Sequence, residues 1–330
     1  MPHSPSRRTC LLGAAASLLP SVSAWAQAPV AQHWPSKPLR IIVGFPGGSS
    51  PDLTARALAE PLSKALGQPV IVDNRVGAGG NIAADLVAKA TDEHTIGLMI
   101  NGNLTIAKLL NAKTPYDPAT DLAPVSLLGT APLVLAARLD TPGHTIAEFF
   151  AAARAGGHQW NYGTPGVGTV AHIGMELLKA KSGMAPVHVP YAGNPQVITA
   201  MIGGQLHTAL LPPALAMAQV RAGKLKAIGV TSAGRSPLVP ELPSLAEGGI
   251  SGFQLEIWNA IAAPASMPSS IVAQLSSLVS EIVRAPEMRE RLFQQGWQVT
   301  GTSSEGLANR MKSDTALLGG VIRAQGIKAE

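Results

Sequence analysis

A single cysteine among 330 residues, Cys10, rules out any internal disulfide. It sits in the opening segment. There Ser6-Arg7-Arg8 precedes an apolar run from Cys10 to Leu19, followed by Pro20 and the small-residue pattern Ala24-Trp25-Ala26. The run is too short to anchor in a bilayer, so residues 1–26 read as a secretory signal cut after Ala26. The arginine pair raises the twin-arginine export route alongside the general one. Removing 26 residues from 330 leaves 304 without a thiol, which excludes thiolate nucleophiles and cysteine-ligated metals. Charge is scarce as well, at 14% of residues, and the net +5 falls to +3 once Arg7 and Arg8 leave. No Lys/Arg run exceeds that pair, so a nucleic-acid groove is not expected. Aromatics make up only 4%, so a core must be built from Ala, Val, Ile and Leu. No later segment approaches the roughly 20 apolar residues of a membrane span.

Glycine (34) and proline (27) are abundant and fall between short apolar runs and helical patterns. Leu39 to Val43 reads as a buried strand, Asp52 to Leu66 as a helix stopped by Gly67, and Pro69 to Val72 as a strand. Asn81 to Ala90 then reads as a helix, and Thr95 to Ile100 as a strand. Pro132 to Ala137, Trp160 to Tyr162, Val187 to Val189, Leu206 to Leu211 and Leu225 to Val230 continue the strands. Thr145 to Ala155, Thr169 to Lys181, the segment from Pro195 and the segment around Ala214 to Ala222 continue the helices. After a Pro/Ser/Gly-rich connector, 232–249, and an extended stretch, Phe253 to Ala262, the chain becomes helical. Alternating strands and helices predict an α/β protein of two compact domains, with mainly parallel sheets and flanking helices.

Four strand-to-helix turns, 46–52, 101–105, 163–169 and 191–195, combine glycine or asparagine with a good helix start. Ser50-Pro51 and Asn194-Pro195 read as N-cap and first-turn pairs. Helix N-termini offer free N–H groups and a partial positive charge, and in an open sheet such loops gather at the carboxyl ends of the strands. The pattern points to a small anionic ligand. Gly166-Val167-Gly168-Thr169-Val170-Ala171 has the G-x-G-x-x-A spacing of a dinucleotide site. However, its strand is very short and no acid ends the next one, so that cofactor is rejected. There is no G-x-S-x-G elbow, H-E-x-x-H or P-loop lysine, and the histidines show no metal-ligand spacing. No cofactor, metal or catalytic residue is therefore assigned. A hydrolase using Ser49 or Ser50 with His172 remains an alternative, conditional on the fold joining them.

Several motifs together resemble the substrate-binding proteins of tripartite tricarboxylate transporters, the Bug or TctC-type family, from Trp34 to Lys328. They include Trp34-Pro35-Ser36-Lys37-Pro38, Phe45-Pro46-Gly47-Gly48-Ser49-Ser50-Pro51-Asp52 and Gly77-Ala78-Gly79-Gly80-Asn81. Pro115-Tyr116-Asp117-Pro118, Asn161-Tyr162-Gly163-Thr164, Val189-Pro190-Tyr191 and Pro243-Ser244-Leu245-Ala246-Glu247 extend the match. The resemblance implies a two-lobed type II periplasmic-binding fold with a hinge of crossing strands. It places lobe 1 at 33–131 plus 254–330 and lobe 2 at 132–253. It also implies a periplasmic, monomeric binding protein, not an enzyme, that captures a small carboxylate and passes it to membrane permease subunits. A sensor presenting its ligand to a kinase would share these features. The expected ligand-binding residues are Pro46, Gly47, Ser49, Ser50, Asp52 and Asn103 from the first lobe, and Thr164, Gly168, Thr169, His172, Tyr191 and His207 from the second. His207 and Leu211 stand where the family usually carries acids.

Overall fold

The computed structural model describes residues 34–328. The expected signal segment, its cleavage pattern and Cys10 lie outside these residues. The first strands are β1 (Leu39–Val43), β2 (Val70–Asn74), β3 (Thr95–Ile100) and β4 (Leu122–Pro132). They join β10 (Glu256–Pro264) and β11 (Gln298–Val299) in a six-stranded sheet of order β11-β4-β10-β3-β1-β2. A second, five-stranded sheet has the order β7-β6-β8-β5-β9. It comprises β5 (Val134–Arg138), β6 (Asn161–Thr164), β7 (Val187–Pro190), β8 (Thr208–Leu211) and β9 (Leu225–Val230). Each sheet is parallel in its strand-helix-strand part, β2-β1-β3 and β7-β6-β8. Each turns antiparallel where β4, β10, β5 and β9 join. The two sheets are the centres of a two-lobed α/β fold.

Local chemistry sets the helix limits. α1 (Ser50–Leu66) starts two residues before the expected Asp52. The extended residue is Ser49 (φ −72°, ψ 157°), which makes it the N-cap and puts Ser50 in the first turn. Gly67 closes this helix in the left-handed region (φ 66°), its N–H donating to the Ser63 carbonyl. The other helices are α2 (Asn81–Ala88), α3 (Ala107–Leu110), α4 (Ile146–Gly156), α5 (Val170–Ser182), α6 (Asn194–Ile202) and α7 (Pro213–Arg221), with α8 (Ser269–Arg284), α9 (Pro286–Gln294) and α10 (Ser304–Gln325) after the connector. Thr145 and Glu148 form a reciprocal capping box at α4. At α6 the N-cap is Gly193, so Asn194 is the first helical residue. No helix of the described residues is long and apolar enough to cross a membrane.

The chain passes between the sheets at Leu133 and again through the connector that returns from β9 to β10. Buried Thr231 ties these crossings together. Its hydroxyl accepts from Leu133 N–H (2.8 Å) and donates to the Leu255 carbonyl (2.7 Å). Its backbone N–H donates to Leu133 (2.9 Å) and its carbonyl accepts from Leu255 (2.8 Å). α10 is fixed to β10 by Trp258 Nε1–H on the Asp314 carboxylate (2.6 Å) and by Arg310 bridging Asp314 and Glu256.

Candidate functional site

The carboxyl ends of β1, β3, β6 and β8 face a cavity of about 50 Å³ lined from both lobes. Four helix starts reach it: Ser50 and Pro51 of α1, Val170 and Ala171 of α5 with their cap Thr169, Asn194 of α6, and Pro212 ahead of α7. Converging N-termini favour an anion. The remaining wall is apolar, with Phe45, Leu133 and Ile257 among it, apart from Asn101, Asn259 and Trp297. Among the described residues, no Asp, Glu, Lys, Arg or His lines the cavity.

Two loops carry most of the expected residues. In the first, Asp52 turns away from the cavity. Its carboxylate accepts from Gly48 N–H (2.9 Å), Asn74 Nδ2 (2.9 Å) and Arg56 Nε (3.0 Å). Burial alone would raise its pKa, but these bonds and the Arg56 charge hold it below the ordinary carboxylate value. Asp52 thus holds the loop rather than facing an anion, which a carboxylate would repel. Asn74 Nδ2 also donates to the Phe45 carbonyl (2.8 Å), so both ends of the loop are anchored. Pro46 lies at the rim, where the backbone of Gly193 packs on its ring, and a Cβ on Gly47 would meet only Asp52. Ser49 is buried, does not cap α1 with its side chain, and its Oγ has no hydrogen-bond partner.

The second loop is held by neutral groups. Thr169 caps α5, accepting from His172 N–H (3.4 Å) and donating to the Gly166 carbonyl (2.8 Å). Thr164 is fully buried, its Oγ1 2.7 Å from His188 Nε2 and 3.3 Å from Gly166 N–H. The His172 ring stacks on His188 (4.4 Å between centroids), which stacks in turn on Tyr162 (4.8 Å). Its Nδ1 accepts a long bond from Gly168 N–H (3.4 Å). Burial is the main cause lowering the His188 pKa to about 4. Lys179 adds to this and Glu176 opposes it. Tyr191 is half-buried, its N–H on the Thr164 carbonyl (2.9 Å) and its side chain against the core of the five-stranded sheet.

Of the expected residues, Ser50 and Thr169 line the cavity itself. Asn103 does not. Its Nδ2 donates to the Gly79 carbonyl (3.0 Å) and Asn81 Oδ1 (2.9 Å), fixing the 3-10 turn Ala78–Gly80 to the π-helical turn Gly102–Ile106. Asn101, two residues earlier, lines the cavity instead. Two residues along a helical turn is about 200° of rotation, so the two amides face opposite ways. His207 is the other correction. It precedes β8, Asn161 N–H donates to its Nδ1 (3.0 Å), and its ring stacks on Trp160 (5.2 Å). β6 and β8 are parallel, so this is the amino-end edge of the sheet, opposite to the cavity. Asn194 and Trp297 reach the cavity without having been singled out as ligand-binding residues. Trp297 follows α9 in no recognisable motif, and only the fold brings it there.

Residues 54–327 match the model of the tripartite tricarboxylate transporter family receptor. A UPF0065 protein from the tcbD-tcbE intergenic region of Pseudomonas sp. (strain P51) is 34% identical over 311 residues, covering 94% of this chain and 91% of that protein. The structure of Rpa4515 from R. palustris with adipate superposes with a TM-score of 0.86 at 29% identity, covering 89% of this chain and 99% of that one. MatC (Rpa3494) from Rhodopseudomonas palustris with bound malate does so with 0.83 at 31% identity, covering 88% and 100%. The chain belongs to the tripartite tricarboxylate transporter receptor family, whose members bind substrates and do not transform them.

Proposed function

We propose that this protein is a periplasmic solute receptor that captures a small carboxylate between its lobes and delivers it to membrane permease subunits. The observation that carries the reading is the convergence of helix N-termini on a cavity with no charged side chain in its wall. The carboxylate is held at the starts of α1 and α5, where Ser50 and Thr169 add hydroxyls to the backbone N–H groups. Pro46, Gly47 and Ser49 shape the first loop; Thr164, Gly168, His172 and Tyr191 shape the second. Malate and adipate in the two related structures support a carboxylate for this chain too. The lobes divide as 33–131 with 254–330, and 132–253, and close about Thr231. A mature, monomeric chain begins after Ala26, exported by the general or the twin-arginine route.

The test is a thermal-shift panel of mono- and dicarboxylates on the purified protein. A ligand at 100 times its Kd adds about 2.7 kcal/mol and raises Tm by several degrees. A rise with one or more carboxylates is expected; no rise with any would overturn the reading.

A further inference from the structure

Three buried polar residues of the cavity wall each carry an atom that has no hydrogen-bond partner: Asn101 Oδ1, Asn194 Oδ1 and Trp297 Nε1. The residues are 1%, 6% and 2% exposed. Such groups in a folded interior are costly unless something pairs with them, and three around one cavity point to a ligand. We propose that they read the end of the ligand remote from its carboxylate. The ligand would be a small monocarboxylate whose far end is an uncharged carboxamide or hydroxyl, not a second carboxylate. This rests on the carboxylate-capture reading above.

The donor and acceptor roles decide the chemistry. Asn101 Nδ2 donates to the Glu256 carbonyl (3.0 Å), so the amide is fixed and Oδ1 is the atom left over. It accepts only, and would repel a carboxylate brought against it. An indole N–H donates only, so Trp297 asks for an acceptor. Asn194 offers an amide, which serves either role. One acceptor, one donor and one amide match a group that both gives and takes a hydrogen bond. A second carboxylate would find no cation in this wall. Of the helix ends left for it, α7 is poor in donors, since it opens on Pro212-Pro213.

Calorimetry on the purified protein with two matched series tests this. One series is the dicarboxylates from malonate to adipate; the other is their half-amides and the ω-hydroxy acids of equal length. The best half-amide or hydroxy acid is expected to bind at least tenfold tighter than the dicarboxylate of its length. Trp297→Phe keeps an aromatic ring, removes the N–H and leaves a gap in the core around it. It should weaken that ligand about tenfold more than the dicarboxylate, with a somewhat lower Tm for the free protein. Asn194→Ala should act in the same direction. Dicarboxylates binding as tightly or more tightly, or a Trp297→Phe loss equal for both series, would overturn the inference while leaving carboxylate capture standing. Binding by no member of any series would overturn both.

Discussion

The two loops that bracket the cavity are built from different chemistry. On the first lobe, Phe45 to Ser49 is held by an ionised carboxylate, Asp52, with Arg56 and Asn74 around it. On the second, Gly163 to Gly168 is held by two threonine hydroxyls and an imidazole, all neutral. Charge-assisted hydrogen bonds are about twice as strong as neutral ones. The first loop is therefore expected to be a rigid platform and the second the more yielding partner. The largest test of that contrast removes one anchor from each. Asp52→Ala leaves Gly48 N–H without its acceptor and the Asn74 amide with only the Phe45 carbonyl. It should cost about 2–3 kcal/mol of stability and lower affinity for the best carboxylate on the order of a hundredfold. Thr169→Ala removes a helix cap, worth about 1 kcal/mol, with a several-fold loss of affinity. Denaturant unfolding and calorimetry measure both; equal losses would erase the distinction.

Where the second loop meets the turns Ala78–Gly80 and Gly102–Ile106 of the first lobe, glycine meets backbone. A Cβ on Gly102 would lie 2.7 Å from the Gly168 carbonyl oxygen, and one on Gly79 would lie 2.6 Å from that of Val167. Gly79 also has φ +61°, which would strain any other residue within its own lobe. Gly102 lies in the π-helical turn without positive φ, so Gly102→Ala acts mainly across the gap. It should prop the lobes apart and weaken ligand binding about tenfold, while Tm of the free protein stays within about 1 °C. Small-angle scattering of the ligand-saturated variant should show a larger radius of gyration than the parent. Unchanged affinity and radius would mean that the ligand-bound lobes do not approach this closely.

The same contrast explains what was legible in the sequence. Local signals were read well. β3 spans the expected Thr95–Ile100, Gly67 ends α1, and Thr145 starts its helix. Both loops were visible because glycine, proline and hydroxyl residues mark strand-to-helix turns. β4 was not visible. It pairs along its length with β10 and at Gly129 and Thr130 with β11, carries Pro124, Gly129 and Pro132, and has no polar alternation to reveal it. Within the loops, sequence could not tell which side chain faces the ligand and which faces the scaffold. Asp52 and Asn103 have the chemistry of ligand contacts, but the fold gives them inward partners. The 101–105 turn is legible as a wall of the site, but that Asn101 and not Asn103 faces it, and that Trp297 joins it, is set by a helical turn and by the return of α9. His207 fell on the wrong edge because one strand's length separates the two ends of β8.

The smallest expected effect separates the loops by pH. In the first loop Asp52 has a folded pKa below its ordinary 3.8, so its contribution is complete above that value and is lost as pH falls through the lower folded value. In the second loop His188 is depressed from 6.5 to about 4. The unfolded chain takes up this proton first as pH falls, so the stability from keeping His188 neutral is complete above about 6.5 and drains away toward 4. Its surroundings fit this sign: Thr164 Oγ1 meets the ring edge, His172 and Tyr162 cover its faces, and burial outweighs the Glu176 charge while Lys179 adds to the depression. His188→Gln keeps a polar group near Thr164 but cannot take up a proton. Its Tm profile should be flatter than the parent's between pH 6.5 and 4 and fall with it below 3.8, where Asp52 still titrates. Asp52→Ala should do the reverse, keeping the upper slope and making the lower one shallower, since Asp73, Asp92 and Asp121 are also held below the ordinary value and still titrate there. If His188→Gln leaves the upper slope unchanged, the second loop is not the acid-sensitive one, and the yielding behaviour assigned to it must come from its glycines instead.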